Sequence, residues 1–161
     1  MTMAHIEGEI VIDRPVDVVF DFVADERNEP RFNPRLTSVE QISAGPIGLG
    51  TRFRATTTSM GRSAEMVIEF TAFERPQRLS SSTHMSAMEM SGTLTFEAVP
   101  AGTLMRWSWE VEPRGILKLL TPLVGFMGRR QEQIIWTSLK RYLEEQNPRS
   151  ASTYEAGGPT R

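Results

Sequence analysis

The chain has 161 residues, 39% of them apolar and 24% charged, which suits one globular domain and argues against wholesale disorder. Eighteen Lys and Arg against 20 Asp and Glu leave a net charge of −2, so a general electrostatic footprint for nucleic acid is not expected. Zero Cys excludes disulfides, a thiol nucleophile and Cys-ligated metal. The two histidines, His5 and His84, leave little for a multi-His site, so no metal and no cofactor is expected.

Residues 5–12 alternate as a β-strand. Pro15 suits the first position of a helix, and Val16, Val19, Phe20 and Val23 fall on one helical face. Asp25 is placed to cap a second short helix, which Pro30 and Pro34 keep brief. A long β region follows: 36–43, 51–60, 63–73, 79–85, 88–99 and 103–111, separated by turns at 45–50, Gly61, 75–77 and 100–102. Tight turns at spacings near ten residues predict an antiparallel meander and not βαβ units. Thr121-Pro122 reads as an N-cap and first helical residue. The helix continues to about Gln146, and some 24 residues at 1.5 Å each span roughly 36 Å. The fold class is therefore α+β, a curved antiparallel sheet of about seven strands wrapped around one long C-terminal helix, with two short helices after the first strand. Residues 1–146 form this domain, and 147–161, with Pro and Gly but no apolar period, read as a flexible tail.

The order and particular residues resemble the START-like, or helix-grip (SRPBCC), superfamily, in its polyketide cyclase/dehydrase and lipid-transport branch. The matching pieces are 12–23 (Ile-Asp-Arg-Pro-Val-Asp-Val-Val-Phe-Asp-Phe-Val), 29–34 (Glu-Pro-Arg-Phe-Asn-Pro), the turn and strand start at 45–53, and 138–144 in the closing helix. These cover about 5–145 and are largely caps, turns and core positions. Phe32 stands where relatives frequently carry Trp, and no catalytic signature of the family is present. The resemblance implies a cavity between sheet and helix.

Large, soft side chains fall on the strand positions that face inward: Phe53, Met66, Ile68, Phe70, Met85, Met88, Met90, Met105, Trp107 and Trp109. Such residues either fill a core or line a cavity of roughly 300–1,000 Å³ for an apolar molecule. On the closing helix Gly125 and Gly128 share a face, either leaving room for a ligand or packing closely on the sheet, and Met127 joins the candidate ligand contacts. The apolar run 116–127 around Lys118 reads first as buried opening turns of that helix, and otherwise as an entrance lid or a membrane-touching patch. It is too short to cross a bilayer.

His84 is the only plausible imidazole acid or base, and in an enzyme His84, Thr57 or Thr83 would assist proton movement. If Thr83 and Met85 face inward, however, strand alternation turns His84 outward. Glu65, Glu69, Glu89 and Glu110 fall on the outer face. The loop 45–50 has the spacing GxxGxG and precedes a strand, so it is a turn and no phosphate cradle. The expected function is binding of a hydrophobic small molecule, a lipid or polyketide, for transport or sensing. A cyclase or dehydratase using the same cavity is the alternative, and a protein adaptor without a cavity is a third reading. The expected setting is cytoplasmic, without nucleic acid or stable membrane insertion, and monomer and homodimer both stay open.

Overall fold

A computed structural model describes residues 3–146; the expected tail at 147–161 lies outside the described residues. Seven strands form one antiparallel sheet: β1 (Ala4–Ile12), β2 (Leu36–Gln41), β3 (Arg52–Ser59), β4 (Arg62–Glu74), β5 (Arg78–His84), β6 (Met88–Val99) and β7 (Gly102–Pro113). Their order is β1-β7-β6-β5-β4-β3-β2, so consecutive hairpins run from β2 to β7 and β1 closes on β7. Helix α1 (Val16–Ala24) and a 3₁₀ helix (Glu26–Arg31) follow β1; a second 3₁₀ helix (Gly115–Leu120) leads into helix α2 (Thr121–Glu145).

The meander arises as expected from alternation. In β7 the buried residues Thr103, Met105, Trp107, Trp109, Val111 and Pro113 face one side, with exposed Arg106, Ser108 and Glu112 among those between them. The period of two places one apolar face of the sheet inward. Two glycines permit large neighbours there. A Cβ on Gly8 would lie 2.4 Å from Cζ2 of Trp107, its register partner, and one on Gly92 would lie 2.0 Å from the Ser108 carbonyl oxygen.

Helix α1 covers one end of the inner face. Val19, Phe20 and Val23 are buried, and the Phe20 ring meets Phe96 and Phe73 edge-on at 5.2 and 5.3 Å. Asp25 caps the following 3₁₀ helix as expected, its carboxylate accepting from the Arg27 N–H at 3.1 Å. Helix α2 lies across β1 and β7. Its inward positions include Gly125, Ile135, Trp136, Leu139 and Leu143, all buried. The Arg14 guanidinium donates to the Leu143 carbonyl at 2.8 Å and the Lys140 ammonium to the Val11 carbonyl at 2.7 Å, which pins the end of α2 to β1.

Thr121 does not cap α2. The preceding 3₁₀ helix runs directly into it, so Leu120 holds the cap position, Thr121 already has helical dihedrals, and its hydroxyl donates back to the Lys118 carbonyl at 2.8 Å. Pro15, expected as the first helical residue, is likewise the cap residue of α1. The run 116–127 is not a buried opening. Ile116 and Leu119 of the 3₁₀ helix are 79% and 82% exposed, and at the start of α2 the small residues Thr121 and Gly125 take the buried positions while Leu123 and Phe126 stay exposed. No helix among the described residues is long and apolar enough to cross a membrane.

Candidate functional site

Between the inner face of the sheet and α2 lies a cavity of about 490 Å³. α1 covers only one end of that face, so towards the other the sheet's apolar side chains meet space instead of a helix. Strands β4 to β7 supply Met66, Ile68, Leu79, Met90, Leu94, Trp109 and Val111; Met85 and Met88 sit at the β5–β6 turn, where the Met85 N–H donates to the Met88 carbonyl at 3.0 Å. Helix α2 contributes Val124, Met127, Gly128, Gln131, Glu132, Ile135 and Trp136, and Phe22, Glu26, Glu29 and Phe32 close the side below α1. Thr57, Ser81 and Thr83 add hydroxyls to a wall that is otherwise mostly apolar.

The expected contacts divide. Met66, Ile68, Met85, Met88, Met90, Trp109 and Met127 line this cavity. Phe53, Met105, Trp107 and Gly125 stand outside its wall. Phe53 is fully buried with its ring 5.6 Å from that of Phe70, and Met105 is fully buried. Trp107 fills the space above Gly8 and meets Trp136 at 6.0 Å. A Cβ on Gly125 would stand 3.4 Å from the Ala4 Cβ, so close packing on β1 accounts for this glycine. Gly128 both crowds Ile6 and borders the cavity. His84 faces outward, as alternation demands, with Nδ1 3.2 Å from the Glu89 carboxylate and a side chain 56% exposed.

The chemistry of the cavity lies in a residue that strand patterning does not reveal. Glu132 sits on the inward face of α2, one turn after Gly128 and one before Trp136. Its Oε2 accepts hydrogen bonds from the indole Nε1 of Trp109 at 3.0 Å and of Trp136 at 2.7 Å. No side-chain oxygen among the described residues is both buried and unpartnered, so Oε1, which accepts no hydrogen bond, keeps some accessible surface, and Glu132 lines the cavity. Burial pushes the Glu132 carboxyl up to about 7, against the two indole N–H groups that favour its charged form and with the Glu29 charge adding to the rise. The signal in sequence was helical spacing: an acidic residue four after Gly128 and three before Ile135 falls on the buried face.

Glu26 and Glu29 share a hydrogen bond on the same side of the cavity. Burial and then the Glu29 charge raise Glu26 well above the ordinary carboxylate range. The Glu29 carboxylate also accepts from the Asn33 amide at 2.9 Å. Hydrogen bonding from Arg27 holds Asp25 below its usual value. Arg35, exposed, is the single cation of the wall. Among the described residues no set of three or more His, Asp or Glu is arranged to hold a metal ion.

The architecture recurs in solved structures. A START superfamily protein of Mycobacterium smegmatis superposes with a TM-score of 0.74 at 14% identity, over 90% of this chain and 99% of that one. A protein of Thermus thermophilus gives 0.73 at 18%, over 85% and 94%. The Zhui aromatase/cyclase of a Streptomyces species gives 0.66 at 15%, over 87% and 96%. At these identities the likeness is one of fold. No curated protein matches the chain. Residues 3–144 match the family described as polyketide cyclase / dehydrase and lipid transport, and the chain belongs to that family.

Proposed function

We propose that this protein binds a hydrophobic small molecule, a lipid or polyketide, in the cavity between sheet and α2, for transport or sensing. The carrying observation is a partly open cavity of about 490 Å³ whose wall is mostly Met, Leu, Ile and aromatic side chains. That volume sits within the range of roughly 300–1,000 Å³ usual for small-molecule sites. Methionines adapt to irregular apolar shapes, and Trp109 adds a rigid flat wall. Glu132 gives the cavity a polar point, so the bound molecule is amphiphilic, with its polar group turned to Oε1. The test is to purify the chain from its native host without denaturation, extract it and identify bound compounds by mass spectrometry. A stoichiometric amphiphile supports the reading; an empty protein that also takes up no apolar probe removes it.

A second reading, an enzyme of the cyclase or dehydratase type, is favoured by one specific observation, the open oxygen of Glu132. A carboxyl that titrates near 7 is shared between acid and base forms at neutral pH, the condition under which one group can both take and return a proton. In a β-hydroxy ketone the carboxylate would accept the proton from the carbon between the two oxygen-bearing carbons. The resulting acid would return it to the departing hydroxyl, so that water leaves and a double bond forms. Glu132→Gln separates the readings: it abolishes turnover with binding retained in the enzyme, and leaves a carrier's transfer in place.

A further inference from the structure

We propose that the face built by the 3₁₀ helix Gly115–Leu120 and the first turns of α2 docks on an anionic lipid surface. Among the described residues, seven of the eleven exposed large apolar side chains lie between 116 and 134, which makes this a patch and not scattered exposure. Ile116, Leu119 and Phe126 are 79%, 82% and 61% exposed. On α2, Leu123, Phe126, Met127 and Arg130 recur at helical spacing on the side away from Gly125, whose own side is packed on Ala4.

The charge carried by this stretch of the chain is of one sign. From 113 to 131 the chain carries Arg114, Lys118, Arg129 and Arg130 and no carboxylate. Arg114 is engaged by Glu89, and Arg129 donates to the His5 carbonyl. Lys118, Arg129 and Arg130 make no ion pair among the described residues. An exposed apolar face edged by cations suits the boundary of a bilayer: the apolar groups enter the acyl region while the cations meet anionic headgroups. A second copy of the chain fits less well. A two-fold contact would bury the same apolar groups but bring this set of cations against the same set on the other copy, and residues 113–131 offer no carboxylate to answer them.

The position of the patch gives docking a consequence. Val124, Met127 and Gly128 belong both to this stretch of α2 and to the cavity wall, so the docked face borders the cavity. Docking itself does not depend on what the cavity holds.

The test is sedimentation of the full chain with vesicles of phosphatidylcholine alone and of phosphatidylcholine mixed with phosphatidylglycerol. Binding to the anionic vesicles that weakens with added salt is expected. Lys118→Gln and Arg130→Gln should each reduce partition about fivefold. Leu119→Ser with Phe126→Ser should reduce it about tenfold or more. All four side chains are exposed, so circular dichroism should not change. No sedimentation with anionic vesicles, or sedimentation indifferent to these substitutions, overturns the proposal. So does a dimer in analytical ultracentrifugation that the Leu119→Ser, Phe126→Ser variant converts to monomer, for the face would then belong to a second copy.

Discussion

The indole of Trp109 on β7 donates to the carboxylate of Glu132 on α2 across 3.0 Å, and through it the sheet and the closing helix share a polar contact inside an apolar cavity. Trp136 donates to the same oxygen at 2.7 Å, and its ring stands 6.0 Å from that of Trp107, which fills the space above Gly8. The acid is thus fixed by two rigid indoles that are themselves held by the packed core. One oxygen is committed to structure and the other is free for a guest.

The first expectation concerns pH. The folded-state value of Glu132, about 7, lies above its ordinary 4.5, so the folded protein holds this proton longer than the unfolded chain. Stability from this group is complete below about pH 4.5 and is lost as pH rises to about 7, by about 3 kcal/mol. Glu132→Gln keeps an oxygen for both indoles and removes the proton. Urea unfolding across this window should show a flatter profile in the variant, with a remaining slope of the same sign from Glu26. An unchanged profile would mean that the carboxyl is not desolvated.

Two neighbouring tryptophans should separate stability from binding. Trp107→Ala empties core space and should cost about 3–5 kcal/mol in equilibrium unfolding. Trp109→Phe keeps most of a ring in the cavity wall but removes one donor from Glu132, at about 1–3 kcal/mol, and should weaken ligand binding measurably in titrations of the folded protein.

The glycines should divide in the same way. At Gly92 a methyl would meet the Ser108 backbone at 2.0 Å, which no side-chain rotation relieves, so Gly92→Ala should lose about 3 kcal/mol or fail to fold. At Gly125 the nearest atom is the Ala4 Cβ at 3.4 Å. Gly125→Ala should be neutral or gain up to about 1 kcal/mol from helix propensity. Thermal denaturation of the two variants is sufficient to compare them.

His84 should prove dispensable. Its ring is outside the cavity wall and meets only a solvent-exposed partner, Glu89, so His84→Ala should change stability by less than about 1 kcal/mol and leave ligand affinity where it was. A loss of turnover in this variant with the fold intact would return catalysis to the imidazole.

The meander, the closing helix and the inward face were legible because their period is written in single residues: Met66, Ile68 and Phe70, or Met105, Trp107 and Trp109. Periodicity names a face but not what lies opposite each point along it. Phe53 and Met105 share that face with Met66 and Met90, yet are packed into the core while the latter two meet space, a difference set by how far α1 reaches across the sheet. Glu132 was hidden for another reason: a carboxylate on a helix reads as solvated unless the wheel is anchored, and Gly125 with Gly128 supply the anchor only once they are known to touch Ala4 and Ile6. The same anchor turns Leu123 and Phe126 outward, against the expectation that an apolar run is buried.

The most direct test of the cavity as a binding site is a titration of the full chain with Nile red, alongside Ser81→Phe, which places a ring where a small hydroxyl now lines the wall. A binding cavity predicts saturable emission at one equivalent in the natural chain, lost in Ser81→Phe while circular dichroism stays the same. Emission that never saturates, or that the substitution leaves unchanged, would contradict it and move the dye to the exposed face of α2.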